Sequence, residues 1–216
     1  MTNSDSTPKI PTPKFWQGVG ASPPVLLVHG IWNTAAAFDR LSERLRVTAC
    51  AGCAVSLEPN DGRAPIAQLA SQLTSAVATL REQNARARID LVGFSMGALV
   101  ARYWLQRLGG AKLTRRFVSI SGPHHGTWTA HCLPLVGAKQ MRPGSELLRD
   151  LEADIDPFGE VDVYTLSTPY DLMIVPPASS RLAQARDHTT FPVLLHRWML
   201  SDARVGKRVS EILSAE

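Results

Sequence analysis

The chain has 216 residues, of which 44% are hydrophobic and 19% charged, and its formal net charge is +4 at pH 7. This length suits one domain with a sizeable core, and the composition is that of a globular protein rather than a disordered or fibrous one. Its lysines and arginines are scattered singly or in pairs, without an RNA-binding, zinc or helix-turn-helix signature. We therefore expect the charge to be solvated and expect no nucleic-acid partner.

The apolar stretches predict a cytoplasmic protein, because they include neither a secretory signal nor a membrane span. No apolar stretch approaches the roughly 20 residues of a membrane span, and residues 1–24 lack the apolar core of a secretory signal. Cys50, Cys53 and Cys132 are an odd number, which disfavours a disulfide framework. Since Cys50 and Cys53 have no second pair to complete a zinc site, we interpret them as small residues entering a strand.

The apolar pattern predicts alternating strands and helices. Residues 1–24 are rich in Pro, Ser and Thr and are expected to form a flexible arm, followed by a single domain over residues 25–216. Six short apolar runs are predicted as strands: Val25–Val28, Cys53–Leu57, Ile89–Val92, Phe117–Ile120, Val161–Leu166 and Phe191–Leu195. Helical spacing between and after them predicts helices near 34–46, 66–80, 98–104 and 205–212. This order predicts a three-layer α/β sandwich with a mostly parallel, six-stranded sheet.

The third predicted strand runs directly into Gly93-Phe94-Ser95-Met96-Gly97, and a predicted helix follows. A G-x-S-x-G pattern between a strand and a helix is typical of a nucleophile elbow. The turn holds the serine at strained, positive φ with its hydroxyl exposed, and side chains at either glycine position would clash. The helix then directs free N–H groups and its positive end at a developing oxyanion. Ser95 is therefore predicted as the nucleophile of a serine hydrolase.

A serine nucleophile needs a histidine base and a carboxylate that orients it, and in such a sheet these lie at the carboxyl ends of the strands. Asp171 comes just beyond the predicted strand Val161–Leu166, which places it at that edge. Of the two later histidines, His188 precedes the predicted strand Phe191–Leu195 and His196 follows it. We therefore predict Asp171 as the acid and His196 as the base, with His188 as a surface loop histidine.

Two backbone N–H groups are expected to form the oxyanion hole. In this arrangement they come from the residue after the serine and from the loop after the first core strand, which are Met96 and Ile31. His29 and Gly30 would then form a structural turn that brings the loop close to the substrate oxygen. We do not expect His29 to transfer a proton.

Aromatic side chains near these loops are candidates for a pocket wall. Three of the five tryptophans lie within a few residues of the loops: Trp32, Trp128 and Trp198. They are predicted to wall an acyl pocket, and the alternative, that each packs separately into the core, stays open. His124 and His125 are interpreted as shaping a loop. Segment 129–149 is too short for a large helical lid, so an open cleft is expected.

At these residues the chain resembles the small bacterial, lidless lipases and esterases of the α/β-hydrolase superfamily, from about Val25 to Ile212. The resemblance is carried by Val28–Ile31, Gly93–Gly97, Ser121–Thr127, Asp171–Val175, Ser180–Leu182 and His196–Leu200. It implies that Ser95, Asp171 and His196 form a catalytic triad, that Ile31 and Met96 supply the oxyanion hole, and that Met199 and Leu200 line the pocket. The stretch Phe191–Leu195 departs from the family's glycine-rich approach to the histidine.

The sequence thus predicts a carboxylic-ester hydrolase that forms an acyl-enzyme on Ser95 and needs no metal or organic cofactor. Its expected partner is a small-molecule or lipid ester, and transient contact with a lipid surface is left open. The sequence leaves the oligomeric state open. An acyltransferase or a thioesterase would use the same triad, and a ligand-binding module that kept the fold is a third interpretation.

Overall fold

The computed structural model describes residues 13–49, 51–84 and 88–215. Seven strands are present in these ranges: β1 Lys14–Gln17, β2 Val25–Val28, β3 Ala51–Val55, β4 Ile89–Phe94, β5 Thr114–Ile120, β6 Asp162–Ser167 and β7 Asp187–Thr190. The α-helices are α1 Asp39–Leu45, α2 Ile66–Asn84, α3 Met96–Arg107, α4 Val136–Gln140, α5 Glu146–Glu152 and α6 Ala203–Ser214. Short 3₁₀ turns cover Ala35–Phe38, Gly110–Leu113, Trp128–Cys132, Pro177–Ser180 and His196–Leu200.

The strands form one sheet in the order β1-β3-β2-β4-β5-β6-β7, in which only β1 is antiparallel to its neighbour. Side chains alternate between the two faces of each strand. On β2, Leu26 and Val28 pack with α2 and α3, whereas Val25 and Leu27 pack with α1 and α6. Because helices cover both faces, the central strands are apolar on both sides. The predicted three-layer, mostly parallel α/β sandwich is confirmed.

The sheet has one strand more than predicted, at its amino-terminal edge. Strand β1 lies inside residues 1–24, the segment expected to be a flexible arm. It is anchored by the buried Trp16, whose ring lies so close to Gly52 on β3 that a Cβ there would overlap it. The sheet therefore starts at Lys14, while residues 1–12 lie outside the described part. The division of the chain into an arm and one domain stays a prediction.

The last strand is also placed differently. The predicted strand Phe191–Leu195 is irregular, and β7 lies just before it, so that prediction was wrong. Pro192 has no N–H to donate to a sheet ladder, which disfavours a strand there. Phe191 and Val193 are nevertheless buried, which accounts for the apolar pattern. The segment that leads to His196 is therefore a loop rather than a strand.

Cys53 lies buried in β3, where burial raises the pKa of its thiol to about 12. This agrees with its interpretation as a small strand residue, although β3 starts two residues earlier than predicted, at Ala51. Cys132 is free and exposed, and Cys50 lies outside the described residues. Within the described ranges, no helix is long and apolar enough to cross a membrane.

Candidate active site

The turn between β4 and α3 has the geometry of a nucleophile elbow. Ser95 adopts φ 54° and ψ −127°, a positive-φ conformation that a non-glycine residue rarely adopts, and such strain is common at functional sites. Its N–H donates to Ile120 O at 2.9 Å, which ties the turn to the neighbouring β5. The predicted positive φ is therefore present, and it is supported by the sheet.

Close packing explains both glycines of the elbow. A Cβ on Gly97 would overlap the carbonyl oxygens of Val28 and His29, because α3 begins directly against the end of β2. A Cβ on Gly93 would lie 2.6 Å from Ala98 Cα. Real Cβ atoms do not approach backbone so closely, so only glycine fits at either position.

Asp171 and His196 are joined by a hydrogen bond at the same edge of the sheet. His196 Nδ1 donates to Asp171 Oδ2 at 2.8 Å and lies 3.0 Å from Oδ1. Asp171 Oδ1 also accepts the backbone N–H groups of Met173 and Ile174, each at 2.9 Å. Burial raises the pKa of Asp171, but the His196 ring and these two N–H groups outweigh it, so the pKa lies below its usual range. The carboxylate is thus held ionised and oriented.

The other ring nitrogen of His196 is available for chemistry. Nε2 is buried without a hydrogen-bond partner, and His196 lines the same pocket as Ser95. No hydrogen bond joins Ser95 Oγ to His196 Nε2 in the described part of the chain; such bonds are often long in unliganded sites and tighten with substrate. The ring of Phe94 lies against the imidazole, with centroids 4.8 Å apart. Phe94 was not predicted to contribute, although it occupies a variable position of the elbow.

The loop after β2 lies directly against the serine. A Cβ on Gly30 would be 2.8 Å from Ser95 Cβ, so the backbone that leads to Ile31 passes beside Ser95. Met96 opens α3, and the first N–H groups of a helix lack partners within it. These positions suit the two predicted oxyanion donors, whose role stays a prediction.

His29 is buried and holds this loop. It accepts from Leu57 N at 2.8 Å through Nε2 and donates to Gly30 O at 2.8 Å through Nδ1. Burial lowers its pKa, so it is neutral. Since both ring nitrogens are occupied, His29 serves the structural role that we predicted.

Asn60 fixes the next part of the loop and was not predicted. Its carbonyl oxygen accepts Trp32 N at 2.7 Å, and its side-chain amide donates to Asn33 O at 2.6 Å. Trp32 itself adopts φ 58° and is a second positive-φ residue at the site. The turn-rich Pro59–Gly62 stretch was visible in the sequence, but its contact with this loop was not.

Ser95 and His196 open into a pocket of about 520 Å³. Its wall is mainly apolar, formed by Ile31, Trp32, Phe94, Leu172, Met173, Leu194 and Leu195. Apart from Ser95 and His196, the polar residues that line the pocket are Asn33 and Arg197. An apolar cleft with a few convergent polar groups is the usual form of a small-molecule site.

Of the three predicted wall tryptophans, only Trp32 lines this pocket. Trp128 stacks on His131 with ring centroids 5.2 Å apart, and Trp198 borders a separate shallow depression beside Leu194. Their exposed fractions of 57%, 60% and 46%, in chain order, also contradict packing in the core. Met199 and Leu200 do not line the pocket as expected; they are the buried residues of the 3₁₀ turn and pack in the same core cluster as the side chains of α6.

The remaining histidines lie outside the pocket lining. His188 is on β7 rather than in a surface loop, with Nδ1 2.6 Å from Thr165 Oγ1 and Nε2 3.2 Å from Ser167 Oγ. His124 is buried, with Nε2 2.7 Å from Ser119 Oγ, and its carbonyl oxygen accepts from Arg102. His124 therefore shapes its loop, as we interpreted.

Comparison with known proteins gives matches of three kinds. The palmitoyl protein thioesterase family profile matches residues 24–155. A triacylglycerol lipase of Pseudomonas fragi is 34% identical over 123 residues, which are 52% of this chain and 38% of that lipase. The chain thus spans well under two thirds of that relative.

Solved structures match over nearly the whole chain. The mature form of a Bacillus licheniformis lipase superposes with a TM-score of 0.76 at 14% identity, covering 94% of this chain and 98% of that one. Aspergillus fumigatus lipase B gives 0.77 at 17% identity, with 93% and 55% covered. At such low identity these matches establish the α/β-hydrolase fold.

Proposed function

The chain belongs to the palmitoyl protein thioesterase family, and from that premise we propose that it is a carboxylic-ester hydrolase that works through an acyl-enzyme on Ser95. The observation that carries the proposal is the Asp171–His196 pair, whose free Nε2 shares a pocket with a serine in a strained elbow. Geometry of this kind supports the roles of Ser95 as nucleophile, His196 as base and Asp171 as the group that orients the base.

The proposed reaction has two matching halves. His196 Nε2 takes the Ser95 proton as Oγ attacks the ester carbonyl carbon, and the Asp171 carboxylate stabilises the imidazolium that forms. The N–H groups of Ile31 and Met96 donate to the oxyanion. The tetrahedral adduct then collapses, and the alcohol leaves with the proton from His196. Water attacks the acyl-enzyme in the same way and releases the acid and free Ser95.

The apolar wall favours substrates with an alkyl or acyl chain. Each buried methylene contributes about 0.8 kcal/mol, or roughly fourfold in kcat/KM, until the chain extends beyond the pocket. We therefore expect kcat/KM to rise with chain length and then level off.

A thioesterase is the second candidate, because the matching family is described by that activity. The same triad would expel a thiolate instead of an alcohol, so the two candidates differ in leaving group alone. A panel of p-nitrophenyl esters and acyl thioesters with identical acyl chains separates them. We expect the p-nitrophenyl esters to be hydrolysed, and we expect Ser95→Ala to abolish this activity. Turnover of the thioesters alone would establish the second candidate, and turnover of neither would leave a binding module.

We also propose transient contact between the pocket rim and a lipid surface. Leu172 and Leu194 at the rim are 75% and 63% exposed, which is unusual for large apolar side chains grouped around one opening. Co-sedimentation with phosphatidylcholine vesicles tests this. The double change of Leu172 and Leu194 to Ser should weaken binding, whereas Ile155→Ser, at a fully exposed position outside the pocket lining, should not. Equal binding by both variants would contradict the proposal.

A further inference from the structure

His196 is held at the sheet edge by a loop that is neither a strand nor rich in glycine. This loop, residues 191–195, is tied to the end of β6 by two hydrogen bonds. Phe191 N donates to Ser167 O at 2.9 Å, and Thr168 Oγ1 donates to Val193 O at 2.6 Å. The second bond lies three residues before His196, so it acts close to the base.

The hydroxyl of Thr168 has a second partner in the segment that leads to Asp171. It accepts the N–H of Tyr170 at 3.2 Å, one residue before Asp171. Thr168 is fully buried. One hydroxyl, with one donor and one acceptor role in use, therefore contacts both the segment that carries the acid and the segment that carries the base.

We propose that Thr168 is a positioning residue that sets the Asp171–His196 pair relative to Ser95, an inference that rests on the proposed function. Loss of its hydroxyl would leave the Val193 carbonyl oxygen unsatisfied in the interior and would release the partly buried Tyr170 N–H, so the two segments would shift to recover partners. A displacement of about 1 Å in a catalytic group lowers a rate by on the order of 10²-fold. The β-branched side chain also restricts the rotamer and so holds the hydroxyl in one direction.

Thr168→Val tests this directly, because valine keeps the shape and removes the hydroxyl. We expect kcat to fall about 10- to 100-fold while KM changes less than about threefold, since Thr168 itself does not line the pocket. Thr168→Ser restores a hydroxyl and should recover most of the lost kcat.

Thr114→Val is the matched control for burial and for loss of a hydroxyl. Thr114 is fully buried at the start of β5, at the opposite edge of the sheet from the site, and donates to Gly110 O at 2.9 Å. The Thr114→Val variant should lower the melting temperature about as much as Thr168→Val does and leave kcat at the parental value.

A double-mutant cycle with His196→Ala separates positioning from general damage. With the base removed, Thr168→Val should not lower the residual rate further. An equal fold-loss in both backgrounds, or parental kcat in Thr168→Val alone, would overturn the inference. Parental activity in Ser95→Ala and His196→Ala would instead mean that the proposed function itself fails.

Discussion

The nucleophile elbow, Gly93–Gly97, and the histidine segment, residues 191–200, reach the same pocket by different physical means. In the elbow, a buried strand, a positive-φ serine and the start of α3 follow one another directly, and two glycines permit the close packing. The histidine segment starts as an irregular loop, which is located by hydrogen bonds to the end of β6. The position of Ser95, the proposed nucleophile, is thus specified by its neighbours in sequence, whereas the position of His196, the proposed base, is specified by contacts across the fold.

The largest expected effect separates the two histidines near the end of the chain. His196→Ala should lower kcat by on the order of 10³-fold or more, because the Ser95 proton loses its acceptor. Asp171→Asn should be nearly as damaging, because the amide favours the wrong imidazole tautomer. His188→Ala should stay within a few-fold, because its ring is hydrogen-bonded to β6 hydroxyls outside the pocket lining. Steady-state kinetics on one p-nitrophenyl ester compares all three, and the reverse ranking of the histidines would contradict our assignment.

A smaller effect tests the steric origin of the elbow. Gly97→Ala should lower the free energy of unfolding by about 3 kcal/mol, because the new methyl group would overlap backbone oxygens at the end of β2 that cannot easily move. Gly206→Ala is the control: it is also helical and buried, but its Cβ would meet the flexible Arg44 side chain, at 3.0 Å. It should change stability by less than about 1 kcal/mol. Equal losses in chemical denaturation would disprove the steric explanation.

The smallest expected effect concerns how the free energy of unfolding depends on pH. Burial, and then the nearby Arg102 guanidinium, hold the pKa of His124 well below its usual range. In the unfolded chain this histidine binds a proton near pH 6.5, so the unfolded state takes up more protons and the free energy of unfolding should fall below that pH. His124→Gln should flatten this decline between pH 7 and 5, whereas His125→Gln, at an exposed neighbour, should not. An unchanged slope in His124→Gln would contradict the neutral, buried state.

The parts of the fold that could be predicted from the sequence are those that local patterns specify. Apolar runs on central strands identified the α/β sandwich, and glycine spacing identified the elbow. The edge strands β1 and β7 were missed because an edge strand pairs with a single neighbour and needs no continuous apolar run. Asp187–Thr190 is polar throughout, while the apolar stretch after it contains Pro192 and buries side chains as a loop.

The site was likewise predictable only where local sequence patterns specify it. Asp171 could be proposed because it follows β6, whose carboxyl end lies at the site. His196 was proposed from a strand over Phe191–Leu195 that the structure replaces with a loop, and it lies beside Asp171 all the same. The contacts of Phe94, Asn60 and Thr168 could not be predicted, because each depends on distances between segments far apart in sequence. The tryptophans near the loops carried too little information, since proximity in sequence does not say which way a side chain points.

We propose above all that Ser95 is a nucleophile activated by His196, and reaction with a fluorophosphonate is the most direct test of this role. The serine oxygen would displace fluoride, and the adduct can be located by trypsin digestion and mass spectrometry. Ser95 is the only hydroxyl residue in the tryptic peptide Ile89–Arg102, so the assignment is unambiguous. We predict one adduct per chain, on this peptide, formed at the parental rate in His188→Ala and far more slowly in His196→Ala. An adduct on another peptide, or equal labelling rates in the two histidine variants, would contradict the account.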